Sequence, residues 1–293
     1  LAGQVKAPGG DGRCRFRRKP VFFDIFIMNE RHKRNSMALL SGCRSTAHSL
    51  VFVLIVMFAS GNVSVRADDL RVAVASNFAG VAQKLGRQFE RETGHDVTLV
   101  FGSTGKLYAQ ILNGAPFDIF LAADAERPRL LEKQGKIITG TRHTYAVGRI
   151  VLWSADDTFV DPEGTVLGRG QFHRLAIADP VLAPYGRAAR EALIALGDWT
   201  RLKARIVRGK NISQVFQFVS TGNAELGIVA ASQVLSDDGN RRGSLWIIPE
   251  SLYAPIEQQV VLLRDRPAGR AFLSFLSGEA ARAVIRANGY GAG

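Results

Sequence analysis

The chain has 293 residues and is 46% hydrophobic, enough for two modest domains with their own cores. Its formal charge of +12 would suit nucleic acid or a membrane surface, but the excess is uneven. Residues 1–67 carry 11 Lys/Arg against 3 Asp/Glu, whereas residues 68–293 carry 27 against 23, so the larger part is close to an ordinary soluble protein and no nucleic-acid partner is expected.

The basic N-terminal part reads as a targeting segment. From Met37 a short lead with Arg44 is followed by the apolar run "LVFVLIVMFA" (50–59) and a polar stretch ending "VRA" at 65–67. That order matches a cleaved secretory signal over 37–67, with cleavage after Ala67. The apolar run is short for a membrane span, and an uncleaved anchor is the alternative. Residues 1–36 read either as the product of a start site placed too far upstream or as a disordered basic tail. Both cysteines, Cys14 and Cys43, precede the expected cleavage point, so residues 68–293 hold no disulfide, thiolate or cysteine-ligated metal.

Beyond Asp68, strand and helix patterns alternate. Residues 70–76 read as a buried strand and 78–94 as a helix with apolar positions at 78, 81, 82, 85 and 89 and a Gly94 cap. A strand at 95–102, a helix at 104–114, a strand at 117–123 and a helix at 125–135 complete a βαβαβα unit. Such a unit implies a parallel sheet with helices on both faces. After an extended run at 145–155, the pattern resumes with strand 174–180, helix 184–197, strand 204–209, helix 213–222 and strand 224–232. Extended segments at 243–249 and 257–265 and helices at 268–278 and 279–289 close the chain. The expected fold is α/β with two lobes, each a mostly parallel sheet flanked by helices, and a ligand cleft between them. The expected boundaries are 68–148 plus 264–293 for lobe 1 and 149–263 for lobe 2.

Four junctions before helices carry short hydroxyl, amide or glycine residues: "ASNF" (75–78), "GSTG" (102–105), "DPVLAPYG" (179–186) and "GKNISQ" (209–214). "VFGSTGKL" is not a phosphate-gripping P-loop. Val100 stands where the first glycine is needed, and Leu107 where a magnesium-binding hydroxyl is needed. What survives is a strand, a short loop and a helix N-terminus, whose unpaired N–H groups and dipole suit an anion. Each junction alone is most often a helix cap. Ser, Thr, Tyr and backbone N–H are neutral donors, so a site built from them suits an anion that carries no proton.

These motifs carry a resemblance. "VASNF", "GSTGKLYAQILNGAPFDIFLAAD", "TYAVGRIVLWS", "ADPVLAPYGRAAREAL", "AELGIVAASQV" and "YAPIEQQVVLL" together resemble the molybdate-binding periplasmic proteins of ABC transporters, over nearly all of 68–293. The resemblance implies a type II periplasmic binding fold. It also implies a periplasmic monomer that binds molybdate or tungstate as cargo and delivers it to a membrane permease, with no cofactor and no catalysis. It implies that the Ser76 hydroxyl, the Asn77 backbone N–H, Thr104 with Ser103 beside it, Tyr185, and a backbone N–H of Ile212 or Ser213 hold the anion. Molybdenum would enter only as the oxyanion. Another branch places a tyrosine just after "GIV"; here that position is Ala230, which leaves the phenol to Tyr185.

Lys106 reads as a solvated helix lysine or as a general attraction for a dianion at the cleft mouth. His95, His143 and His173 have no metal spacing, and Asp118, Asp124 and Asp179 read as braces for turns. Competing readings are a binding protein for sulfate or another tetrahedral oxyanion, a phosphoryl-transfer or hydrolytic enzyme using the Gly-Ser-Thr loop, and a sensory domain.

Overall fold

The computed structural model describes residues 68–235 and 243–291. The readings on 1–36, on the signal segment and on both cysteines lie outside the described residues.

β1 (Asp69–Ala75) runs into a 3-10 turn (Ser76–Phe78) and then α1 (Ala79–Thr93). The apolar stripe of α1 is the one its periodicity predicts: Val81, Ala82, Leu85 and Phe89 are buried. Gly94 ends the helix in the left-handed conformation at φ 72°, its N–H returning to the Glu90 carbonyl at 2.9 Å. β2 (Asp96–Gly102), α2 (Thr104–Leu112), β3 (Ile119–Leu121), α3 (Glu126–Lys133) and β4 (His143–Gly148) follow.

One residue later β5 (Ile150–Ser154) opens a second unit. It continues with α4 (Val166–Arg169), β6 (Leu175–Ala178), α5 (Pro184–Ala195), α6 (Trp199–Leu202), β7 (Ile206–Gly209), α7 (Ile212–Ser220), β8 (Leu226–Ala230), α8 (Ala231–Val234) and β9 (Ser244–Ile247). The chain then returns as β10 (Ile256–Leu262), α9 (Pro267–Ser277) and α10 (Glu279–Ala287).

The two five-stranded sheets have the same plan: β2-β1-β3-β10-β4 and β7-β6-β8-β5-β9. The first three strands of each are parallel, the fourth is antiparallel to both its neighbours, and the fifth runs with the first three. Four strands of five therefore share one direction, as a mostly parallel lobe requires. Side chains along β1 alternate between two layers. Leu70, Val72 and Val74 pack with α1, α9 and α10, while Ala73 faces Leu107 and Ile111 of α2.

Register positions the cleft. Ala75 of β1 lies opposite Gly102 of β2, so Ser76 and Ser103 begin their loops at the same edge of the first sheet. Ala178 of β6 lies opposite Gly209 of β7, which does the same for the loops leading to α5 and α7 in the second.

Two expectations need correction. The run 145–155 is not one extended element: β4 belongs to the first sheet and β5 to the second, with Arg149 as the crossing residue. The expected lobe 2 boundary at 263 is too late, because β10 lies between β3 and β4 in the first sheet. Hydropathy marks 256–262 as a buried strand but carries no information about which sheet it joins. The return crossing is the segment between β9 and β10, and Tyr253 on it receives the Ile150 N–H at its hydroxyl (3.4 Å), tying the two crossings together.

Candidate functional site

Ser76, Asn77, Ser103, Thr104, Tyr185 and Ile212 line one cavity of ≈ 180 Å³, open mouth included, together with Ala75, Gly102, Ala123, Ala183 and Pro184. All four junctions picked out in the sequence meet there, two from each sheet. Ser213 does not line it. Asn211 caps α7, its side chain accepting the Gln214 N–H at 3.0 Å, so Ile212 supplies the first helical N–H. The Ser213 hydroxyl instead donates across the cleft to the Ser76 carbonyl at 3.0 Å. Of the two residues considered for the fourth loop, Ile212 lines the cavity.

Hydrogen bonding decides which way the hydroxyls point. Thr104 Oγ1 accepts the Ala123 N–H at 3.1 Å, which leaves its proton to be donated elsewhere. The Tyr185 hydroxyl receives the Gln258 Nε2–H at 3.1 Å and is approached by Asn77 Nδ2 at 3.4 Å. Burial, reinforced by the neighbouring Tyr290 and Tyr145 phenols, pushes the Tyr185 phenol well above its usual range. It therefore stays protonated and remains a donor. Ser76 and Ser103 line the cavity just beyond the ends of β1 and β2.

The Asn77 side chain is spent inside the protein. Its Nδ2 reaches Gln258 Oε1 at 2.8 Å and the Tyr290 hydroxyl at 3.1 Å. Its carbonyl accepts from Tyr290 at 2.9 Å and from Ser232 at 3.2 Å. Its side-chain donors and backbone carbonyl are thus engaged within the protein, and its backbone N–H is the donor that the resemblance assigns to the anion. The helix N-termini of α2, α5 and α7 add first-turn N–H groups with no intrahelical acceptor.

Glycines permit these approaches. A Cβ on Gly186 would sit 2.3 Å from the Ala178 carbonyl oxygen, so the glycine of "PYG" lets α5 start hard against β6. A Cβ on Gly148 would sit 2.3 Å from the Tyr185 hydroxyl. Gly105, the glycine that gave the P-loop impression, donates its N–H to the Leu182 carbonyl at 2.9 Å across the cleft. A Cβ there would stand 3.0 Å from that oxygen.

The remaining residues singled out in the sequence fall outside the cavity. Lys106 is exposed and lines a separate outer groove with Arg71 and Gln110. Asp124 caps Arg127 (backbone N–H at 3.0 Å) and is ion-paired with its guanidinium, so it presents no free negative charge beside the cavity. Asp118 accepts the Arg71 N–H at 2.8 Å, and Asp179 accepts that of Val181 at 2.8 Å. Among the described residues, no group of three or more His, Cys, Asp or Glu is placed to hold a metal ion.

Sequence reading missed Gln258, Tyr145, Tyr290 and Ser232, which wire Asn77 and Tyr185 together. One signal was available: "EQQVVLL" places two amides in a strand that is otherwise apolar, and a buried amide needs partners.

Two α/β lobes crossed twice by the chain, with helix N-termini converging on a small cavity between them, define a solute-binding protein. Residues 70–291 match the family described as bacterial extracellular solute-binding protein, and the chain belongs to that family. Within it, the chain is similar to the molybdate-binding protein ModA of Azotobacter vinelandii, at 49% identity over 77% of this chain and 91% of that protein. ModA of Rhodobacter capsulatus is 45% identical over 84% of this chain and 94% of its own length. The solved periplasmic molybdate-binding protein of A. vinelandii superposes with a TM-score of 0.74 at 39% identity, covering 76% of this chain and 99% of that one.

Proposed function

We propose that this protein captures molybdate in the periplasm and hands it to the permease of an ABC transporter, making and breaking no covalent bond. The observation that carries the reading is that Thr104 and Tyr185 both line the cavity and each receives a hydrogen bond from the protein on its hydroxyl oxygen, which leaves that hydroxyl to act as a donor.

The anion is held by the hydroxyls of Ser76, Ser103, Thr104 and Tyr185 and by the backbone N–H groups of Asn77 and Ile212. Charge-assisted bonds contribute roughly 1.5–3 kcal/mol each. Half a dozen, less desolvation and closure costs, reach about 8–12 kcal/mol, a sub-micromolar affinity. Every group in this set donates. Hydrogen phosphate carries a proton that would need an acceptor, so the site disfavours it, whereas molybdate, tungstate and sulfate carry none. Separation of molybdate and tungstate from sulfate rests on the size of the cavity.

The lobes close on the anion as rigid bodies about the two crossings. In the closed arrangement the rim is bonded from lobe to lobe: Gly105 N–H to Leu182, Arg127 Nη2 to the Val181 carbonyl at 3.0 Å, and Arg187 to Glu126 at 3.0 Å.

Calorimetric titration with molybdate, tungstate, sulfate and phosphate tests this reading. One-to-one, sub-micromolar binding of the first two with little heat from the others is expected. A preference for sulfate or phosphate would move the function to another transporter, and silence with all four would remove oxyanion capture altogether.

A further inference from the structure

Gln258 lies in β10, fully buried in a strand whose next four residues are also buried. Its Oε1 accepts from Asn77 Nδ2 at 2.8 Å and from the Tyr145 hydroxyl at 3.2 Å. The Asn77 donor sets the orientation of the amide, with the single Tyr145 proton shared between Oε1 and the Ala122 carbonyl at 3.3 Å, and Nε2 is thereby turned to the Tyr185 hydroxyl at 3.1 Å. An amide N–H can only donate, so the phenol oxygen must accept and its proton must turn elsewhere. The Tyr290 oxygen, which receives the Asn77 amide and keeps a second acceptor site within reach of the Tyr185 hydroxyl, is the acceptor that competes with the cavity for that proton. The β10–β4 pairing slips between Gln258 and Gln259, an irregularity of the kind that re-aims a side chain. Gly148 of β4, paired with Ile256, has no side chain to fill the space where amide and phenol meet; a Cβ there would stand 2.9 Å from Nε2.

We propose that Gln258 is a positioning residue for anion capture: without touching the anion, its amide forces the Tyr185 hydroxyl to present a proton to the cavity. The inference rests on the reading of the cavity as an oxyanion site. A carboxylate of the same shape would do the reverse. Ionised, it would accept the phenol proton and place a negative charge behind the ligand. Protonated, it would donate to Tyr185 and accept from Asn77 and Tyr145 much as the amide does. Gln258→Glu should therefore make binding pH-dependent.

The titratable groups facing Gln258 are Tyr145 from β4, Tyr185 from α5 and Tyr290 after α10, all three held protonated by burial. Further out, Asp124 in the loop between β3 and α3 acts on Tyr145 and is ion-paired with Arg127. Tyr253 on the return crossing acts on Tyr185, and its own phenol is raised by burial. None of the phenols titrates between about pH 5.5 and pH 8.5, so the native protein should bind equally at both.

Molybdate titrations of the full chain at these two pH values decide the matter. For Gln258→Glu, a loss of at least about tenfold at the higher pH, largely recovered at the lower, is expected. Gln258→Leu, which cannot ionise, should weaken binding equally at both pH values, and should cause no further loss when added to Tyr185→Phe. Native-like, pH-independent binding by Gln258→Glu would overturn the proposal. So would an undiminished effect of Gln258→Leu in the Tyr185→Phe background, and this second comparison decides the case if Gln258→Glu does not fold. Failure of the native protein to bind molybdate would instead overturn the oxyanion reading itself.

Discussion

Thr104 and Tyr185 differ from most buried hydroxyls in what they receive. A hydroxyl can donate once and accept twice, and here the acceptor side is occupied by Ala123 N–H in one case and by the Gln258 amide in the other. A hydroxyl whose oxygen is so occupied acts as a donor, which is what an anion needs. Thr104→Ala and Tyr185→Phe should each weaken molybdate binding by roughly 1–3 kcal/mol in calorimetry, with melting temperatures close to native. Unchanged affinity in both would remove these residues from the site. The sequence made them visible because Thr and Tyr at a loop-to-helix junction are donors in a restricted place. It could not show that their oxygens are already occupied, because the groups that occupy them come from the loop after β3 and from β10, 19 and 73 residues away.

Helices and strands were legible to different degrees. Stripe and cap signals located α1, α2, α5 and α7 to within a few residues, since periodicity and capping are local. Sheet membership is not local. Nothing within "YAVGRIVLWS" marks Arg149 as the point where the chain leaves one sheet for the other, and nothing within "EQQVVLL" marks its return. The short helices α4 and α6 carry too few residues to show a period. At the fourth loop the cap sets the helix start that composition left open. Asn211 accepts the Gln214 N–H, and Gln214 in turn accepts the Lys210 N–H at 2.6 Å, which fixes the start of α7 at Ile212. Asn211→Ala should lower stability by about 1 kcal/mol in urea titration and also weaken molybdate binding, because the cap sets the direction of the Ile212 N–H. A stability loss with unchanged affinity would show that this N–H takes no part.

At the scale of the molecule, Asn77, Gln258 and the phenols of Tyr145, Tyr185 and Tyr290 form a buried polar seam that joins both lobes to the last described turn of the chain. Burial is the main cause of the raised phenol values, with Tyr290 pushed to about 12. A group whose folded pKa lies above its unfolded one gives its full stabilisation below the unfolded value, near 10, and loses it as pH rises through the folded value. Stability should accordingly be level from about pH 7 to 9 and fall from about pH 10 upward, with Tyr290 accounting for roughly 2–3 kcal/mol. Thermal melts of the native protein and of Tyr290→Phe check this: the alkaline loss should be smaller in the variant, and equal losses would contradict the assignment.

Oxyanion capture at the place where the four loops meet is tested most directly by X-ray anomalous difference density at the molybdenum edge, from crystals grown with molybdate. A single strong peak is expected in the cavity, with oxygens within about 3 Å of the Thr104 and Tyr185 hydroxyls and of the Ile212 N–H. A peak elsewhere, or none in the cavity from crystals of protein that binds molybdate in solution, would contradict it.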